Sequence, residues 1–447
     1  MRGLIEPDLE TRVRARLDAR LSPNINAPVC VALSGGGDSL ALLHMAAGWA
    51  RTRGRRLLVL TVDHGLQASS RDWTAFAGEQ ARLCGAEWLP LAWEGAKPDA
   101  GLAAAARLAR HRLIADAARR ADARVVLFGH TADDVDESEW MRGQGSTLGR
   151  VREWSPSPVW PQGRGLMLLR PLLEARREPL RRWLAARDQP WIDDPANDDP
   201  RHARARARRA LGGDPLDRAE TPLRPPAGDP PRPVEAEGFR CGRGVSRHSL
   251  ATALVCAGGG EAQPRGERLQ ALLERVKAGE DFTATLAGAR LEASGRNVLI
   301  LREAGELRRR AAPALTLTPG TPAVWDGRFE LQAQEPGWSV GAAQGRMARL
   351  GPADRARLSE LPPAARAGWP VLMREEGAPV LSAKGVTVRG LTAERMRLAS
   401  GETTHEDDLR SPADGEGSWN PLCLGAEHMT GGADGARRTT EDFNEPA

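Results

Sequence analysis

The chain has 447 residues, enough for two or three domains with real cores, and of its 63 basic residues only Lys97, Lys277 and Lys384 are lysine. There is no tyrosine to act as a proton donor or stacking platform, and the five cysteines (Cys30, Cys84, Cys241, Cys256, Cys423) lack any CxxC pair, which excludes a disulfide framework and a zinc or iron–sulfur pattern. The net charge of +4 hides eleven acids against three bases in residues 401–447, about −8 there and about +12 elsewhere, a balance suited to a polyanionic partner.

The N-terminal run MRGLIEPDLETRVRARLDARL carries acids and arginines and lacks an apolar h-region, so it is not a signal peptide. No stretch approaches about eighteen apolar residues, and a cytoplasmic chain with no membrane partner is expected. Residues 1–24 hold an amphipathic helix from Leu4 to Leu21. Over residues 25–211 the apolar runs VCVAL, RLLVLTV, EWLPLAW and RVVLFG alternate with helical patterns such as DSLALLHMAAGWARTRG and AGLAAAARLARHRLIADAARRADA. That alternation predicts an α/β fold with a doubly wound parallel sheet. Arg170–Asp194 reads as one helix, with apolar residues three and four apart and a stop at Pro190.

Residues 212–235, GGDPLDRAETPLRPPAGDPPRPVE, read as a proline-rich linker. Residues 236–400 predict a mixed α+β region, with helices in RHSLATALVCAGGG and GERLQALLERVKAGE, then strands in FTATLAGARLEAS, NVLILRE and PAVWDGRFELQ. Residues 401–447 lose all periodicity and read as an acidic, disordered tail.

The first strand runs into Ser34-Gly35-Gly36-Gly37-Asp38-Ser39, and a helix follows. The spacing is wrong for GxxxxGK[ST], because Asp38 follows Gly37, and contiguous glycines do not make GxGxxG. Bare amides at a helix N-terminus form an anion seat; two hydroxyls add hydrogen bonds, and Asp38 is placed to hold Mg2+ against phosphates. This run resembles the signature of the PP-loop ATP pyrophosphatases. The resemblance implies cleavage of ATP at its α-phosphate, with the loop gripping pyrophosphate.

Three further stretches narrow the substrate. TVDHGLQASS puts Asp63 and His64 at the C-terminal end of the second strand, where ligands of open α/β sheets gather. LFGHTADDVDES places His130, Asp133, Asp134 and Glu137 at a later strand end and helix start, and DDPANDDPRHARARARRAL gives Asn197, Arg204 and Arg208. Taken in order, these motifs resemble the tRNA(Ile)-lysidine synthetase family over about residues 25–211. The resemblance implies that free L-lysine is joined to C2 of the wobble cytidine of an isoleucine tRNA with a CAU anticodon, through an adenylated base. It implies ATP binding by the loop with Asp63, His64 and His130, Mg2+ on Asp38, and catalytic roles for Asp38, Asp134, Glu137, Asn197 and Arg208. Arg204 and Arg208 would contact ATP or tRNA phosphate, and residues 236–400 would contact tRNA. Oligomeric state stays open, a homodimer included.

The plainer readings are specific too. Asp133, Asp134 and Glu137 suit a helix N-terminus through its dipole, and His64 and His130 read as shapers of the site rather than proton carriers. His44 reads as packing, and Trp140, Trp154 and Trp160 as core or loop anchors. Against the family pattern stand Gln67, Thr131, Val135, Ser138, Ala196 and Ala205. The rival functions are a PP-loop tRNA thiolation enzyme, which needs a reactive cysteine, and a catalytically dead tRNA-binding paralogue.

Overall fold

The computed structural model describes residues 8–146, 149–194, 199, 201, 203–212, 230–310 and 314–409. They belong to two units, one drawn from residues 1–228 and 394–415 and the other largely from 229–393.

The first unit opens with α1 (Leu9–Asp18), capped by the Asp8 carboxylate, which accepts the Thr11 amide at 2.7 Å. The first residues of the Leu4–Leu21 expectation lie outside the described residues, and Val13, Leu17 and Leu21 are buried in the core of the unit. Then come β1 (Val29–Ala32), α2 (Gly37–Arg53), β2 (Leu57–Asp63), α3 (Ser70–Leu83), β3 (Glu87–Ala92), α4 (Leu102–Arg120), β4 (Val125–Phe128) and α5 (Ala132–Gly143). After these lie β5 (Trp154–Pro156), β6 (Met167–Leu169), α6 (Arg177–Ala185) and α7 (Ala203–Leu211). The six strands form one sheet in the order β3-β2-β1-β4-β6-β5. All neighbours run parallel except β5 against β6.

The central strands β1, β2, β4 and β6 are buried on both faces, as parallel sheets require, while the edge strand β3 is largely exposed. Val29 and Val31 face α1, α2 and α6 through Leu17, Leu42 and Leu180. Cys30 and Phe128 face α4 through Ile114 and Ala118. Because the chain leaves β1 towards β2 on one side and β4 on the other, the strand order diverges at the C-terminal ends of β1 and its neighbours, where a crevice must open.

Two expectations need correction. Arg170–Asp194 is not one helix: residues 171–174 are turns and only Arg177–Ala185 is helical. The Arg170 guanidinium is held by the Arg152 carbonyl at 2.7 Å and Ser155 Oγ at 2.9 Å, so the chain is pinned to β5 before α6 begins. Residues 402–409, expected within the disordered tail, pack on the first unit. Leu409 joins the core, Trp154 Nε1 donates to the Thr403 carbonyl at 2.9 Å, and the Glu406 amide donates to the Arg20 carbonyl at 2.8 Å. Residues 410–447 and most of the proline-rich linker lie outside the described residues.

The second unit is antiparallel. One sheet, in the order β7-β8-β11-β10-β9, uses β7 (Arg232–Val234), β8 (Gly238–Gly242), β9 (Phe282–Leu286), β10 (Ala289–Ser294) and β11 (Asn297–Arg302). Two helices, α8 (Arg247–Gly258) and α9 (Glu267–Lys277), accompany it. Two three-stranded sheets follow, β12 (Leu315–Thr316) with β15 (Ser339–Ala342) and β16 (Pro370–Met373), and β13 (Ala323–Trp325) with β14 (Phe329–Ala333) and β17 (Val386–Gly390). Phe329, Trp369 and Leu331 fill their core. The α/β fold with a mixed C-terminal region is as expected.

Candidate active site

The loop after β1 begins the site. Gly35 takes φ +86°, a left-handed conformation that favours glycine, and its carbonyl accepts the Ile192 amide at 2.9 Å. Ser34 and Ser39 join hydroxyl to hydroxyl at 3.0 Å, and Ser39 Oγ also donates to the Gly36 carbonyl at 2.9 Å. Gly36 caps α2 with extended backbone, leaving the amides at the start of that helix facing the crevice. Gly129, at the end of β4, has no room for a Cβ, which would lie 2.9 Å from Ser39 Cα. The glycine of the GH pair therefore lets β4 approach the loop.

Thr131 caps α5, and the two α5 carboxylates behave differently. Asp134 Oδ2 accepts the Thr131 amide at 2.8 Å and its hydroxyl at 3.0 Å. Asp134 Oδ1 is turned towards Arg204 at 3.3 Å and Arg177 at 3.7 Å. One oxygen thus caps the helix, and the other faces the guanidinium groups of Arg204 and Arg177. Glu137, three residues on, accepts Arg208 Nε at 3.0 Å and Arg177 Nη1 at 3.3 Å on Oε1, while Oε2 is buried without a partner. The i,i+4 spacing of Arg204 and Arg208 on α7 matches the i,i+3 spacing of the acids on α5, and Ala205 and Ala207 are buried on either side of the arginine stripe.

Arg177, the first residue of α6, ties the two halves together. Its Nε donates to Asp38 Oδ2 at 3.1 Å while Nη1 reaches Glu137. Burial opposes its charge, but Asp134, Asp38 and Glu137 overcome that and hold the guanidinium more firmly protonated than usual. Asp38 itself is pushed up by burial, against the pull of Arg177, and its Oδ1 is buried without a hydrogen bond. Burial also opposes ionisation of Asp134, and the cations Arg204 and Arg177 with the Thr131 amide hold that carboxyl below its ordinary range. Asp133, Asp136, Glu137, Arg176, Arg177 and Arg208 line a pocket of only about 30 Å³, because guanidinium groups fill it.

At the other side of the crevice, Asp63 accepts the Gly65 amide at 2.7 Å and so shapes the turn after β2. His64 packs edge-on to Trp93 with ring centroids 6.0 Å apart, and burial with the nearby Arg110 lowers its pKa. His130 stacks on Phe128 at 5.8 Å; burial lowers its pKa to about 3, so it is neutral near pH 7. Arg110 on α4 adds a guanidinium whose Nε is buried without a hydrogen bond. His44 is a packing residue, 3.6 Å from Cys84 Sγ.

The structure therefore gathers Asp38, Asp134, Glu137, Arg204 and Arg208 into one charge network and ranges Asp63, His64 and His130 along the strand ends. Asn197 lies outside the described residues. Sequence reasoning missed Arg110, Arg170 and Arg177. Among so many arginines nothing in the sequence marks one, although Arg170 and Arg177 flank the apolar run PLL that leads into α6.

The chain resembles known proteins over most of its length. A PP-loop domain family matches residues 9–214. A tRNA(Ile)-lysidine synthase of Caulobacter vibrioides is 48% identical over 87% of this chain and 97% of its own length. Counterparts from Hyphomonas neptunium and Brucella anthropi are 38% and 34% identical, over 66% and 68% of this chain and 86% and 73% of their own lengths. The chain belongs to the tRNA(Ile)-lysidine synthase family.

Proposed function

We propose that the protein adenylates the wobble cytidine of an isoleucine tRNA with a CAU anticodon and then joins free L-lysine to C2 of that base. The convergence of Asp38, Asp134 and Glu137 on one guanidinium carries this reading, since three carboxylates meet where cations are needed, beside a pyrophosphate seat.

In the first step cytosine O2 attacks the α-phosphorus of ATP, and pyrophosphate leaves into the loop of Ser34, Gly35, Gly36, Gly37, Asp38 and Ser39, whose amides and hydroxyls offset its charge. Bound Mg2+ would neutralise phosphate charge and fix an in-line geometry. The buried, unpartnered Asp38 Oδ1 fits a magnesium that takes one carboxylate and otherwise phosphate oxygens and water. Among the described residues no cluster of three metal-ligating side chains competes for it. Asp63, His64 and His130 flank the nucleotide.

In the second step the lysine ε-amine attacks C2, the C2–O2 bond breaks and AMP leaves with that oxygen. Lysine in water holds its proton up to about pH 10.4. Asp134 Oδ1 and Glu137 Oε2 seat the ammonium and draw off the proton. Arg177 gives up its place between the acids as ligands enter, and Arg204 and Arg208 turn to phosphate of ATP or tRNA. Asn197 is assigned to this site by its motif, and residues 236–400 to tRNA contacts.

Thiolation lacks a nucleophile among the described cysteines. Cys30, Cys84, Cys241 and Cys256 are buried, burial pushes the Cys30 thiol up strongly, and that of Cys84 rises to about 11. The test is transfer of radiolabelled lysine to a CAU-anticodon isoleucine tRNA transcript with ATP and Mg2+. Transfer that disappears in Asp38→Ala and Glu137→Ala supports the reading. Pyrophosphate release without lysine transfer overturns it in favour of another nucleophile, and neither product favours a binding role.

A further inference from the structure

His130 sits where β4 meets the loop, immediately after Gly129, whose backbone touches Ser39. Its Nδ1 lies 3.1 Å from Arg170 Nε, which carries a hydrogen and can only donate. Nδ1 must therefore be a bare lone pair, and the proton of the neutral ring lies on Nε2. Arg170 is not free to change this. It is 7% exposed, and its Nη1 donates both to the Arg152 carbonyl and to Ser155 Oγ on β5. The Phe128 ring lies nearly parallel to His130, with 12° between planes, and fixes its tilt.

We propose that Arg170 is a positioning residue: it locks His130 as the Nε2–H tautomer, so that His130 enters the reaction as a fixed hydrogen-bond donor to a phosphate oxygen of the nucleotide and not as a proton carrier. The inference rests on the adenylation reading and deepens it. A donor fixed before the reaction costs no reorganisation as charge builds on the α-phosphate oxygens. A ring able to take a proton at Nδ1 would lose its bond to Arg170 and set two cations side by side. The charged and titratable groups bearing on His130 are Asp134 from α5, Arg204 from α7, Arg110 and His111 from α4, and Arg170 itself. Arg170 alone among them is hydrogen-bonded to the ring.

The deciding experiment is long-range 15N–1H correlation of the ligand-free protein labelled at its eight histidines, with His130 assigned by its loss in His130→Gln. The expected pattern is an acceptor-type Nδ1 and a protonated Nε2, turning to a tautomer mixture in Arg170→Met and restored by Arg170→Lys. A protonated Nδ1 in the unaltered protein overturns the proposal. The second arm is a double-mutant cycle on pyrophosphate release from ATP with tRNA. His130→Ala is expected to lower kcat by about 100-fold, the scale of losing one preorganised donor. Arg170→Met is expected to lower kcat by about 10-fold with KM for ATP little changed, and adding it to His130→Ala should cost less than about 2-fold. Fully additive losses overturn the proposal, because Arg170 would then act on its own account. The tautomer is read without nucleotide, so its failure sinks the positioning role and leaves lysidine formation standing. Absence of pyrophosphate release by the unaltered protein sinks the adenylation reading instead.

Discussion

Arg55 and Glu406, 351 positions apart, form a two-pronged ion pair, Nη1 to Oε2 at 2.9 Å and Nη2 to Oε1 at 3.0 Å, with side chains 1% and 0% exposed. The Ser22 amide also donates to Glu406 Oε2 at 3.0 Å, and Arg55 Nη2 donates to the Ala27 carbonyl at 3.0 Å. This is how the acidic C-terminal stretch is tied to the catalytic unit. Removing one partner leaves the other charge buried alone, so Glu406→Ala is expected to cost about 3–5 kcal/mol in urea unfolding. Arg55→Met with Glu406→Leu should recover most of that loss; a double variant as weak as the single one would contradict this account.

Gly35→Ala is expected to damage the loop from two directions. The φ of +86° costs an L-residue about 1–2 kcal/mol, and the new Cβ would lie 2.6 Å from Ile192 Cδ1. Equilibrium binding of ATP should weaken at least tenfold, with far-ultraviolet circular dichroism unchanged.

Asp38→Asn should separate stability from function. Burial raises the Asp38 pKa above its ordinary 3.8 in the folded chain, so the native state binds that proton more tightly than the unfolded one. Its contribution is largest below pH 3.8 and is lost as pH rises through the folded value. At pH 7 the ionised carboxylate is a burden, and the asparagine variant should melt at the same or a higher temperature while losing lysine transfer.

His111 gives the opposite pH signature. Burial, then Arg110 and Arg107, lower its pKa from 6.5 to about 2, and its Nε2 is buried without a hydrogen bond. The unfolded chain therefore takes up a proton below pH 6.5 that the folded one refuses. The stability this group gives is complete above pH 6.5 and is lost as pH falls towards 2. His111→Leu should flatten the decline of melting temperature between pH 6.5 and 4.5, read by scanning calorimetry; an unchanged slope would exclude His111 as its source.

Asp134 and Glu137 should fail differently. Asp134→Ala removes the α5 cap as well as a site oxygen, so it should cost about 0.5–2 kcal/mol in stability along with lysine transfer. Glu137→Gln keeps the shape and leaves the cap intact. Its loss should fall mainly on lysine transfer, visible as pyrophosphate release that continues while lysine incorporation drops at least 100-fold.

The strands and helices of the catalytic unit were legible because their apolar runs and periods are local, and SGGGDS and GHTADDVDES were legible because each is built within a few consecutive residues. Ser34, Ser39 and the Thr131–Asp134 cap take their geometry from neighbours in sequence. The helix expected over Arg170–Asp194 failed at both ends because contacts distant in sequence hold the chain there: Arg170 is bound to Arg152 and Ser155 before α6, and the Ile192 amide donates to the Gly35 carbonyl after it.

What the sequence by itself determined, then, was the phosphate loop, the two α5 carboxylates and the order of elements around them. Only the tertiary structure decided which cations serve those acids. Arg177 meets Asp38 from 139 positions away, Arg170 donates to His130 from 40, and Glu406 closes on Arg55 from 351. In a chain so rich in arginine every guanidinium reads alike in sequence, and burial beside a particular carboxylate or imidazole is what gives one of them a role.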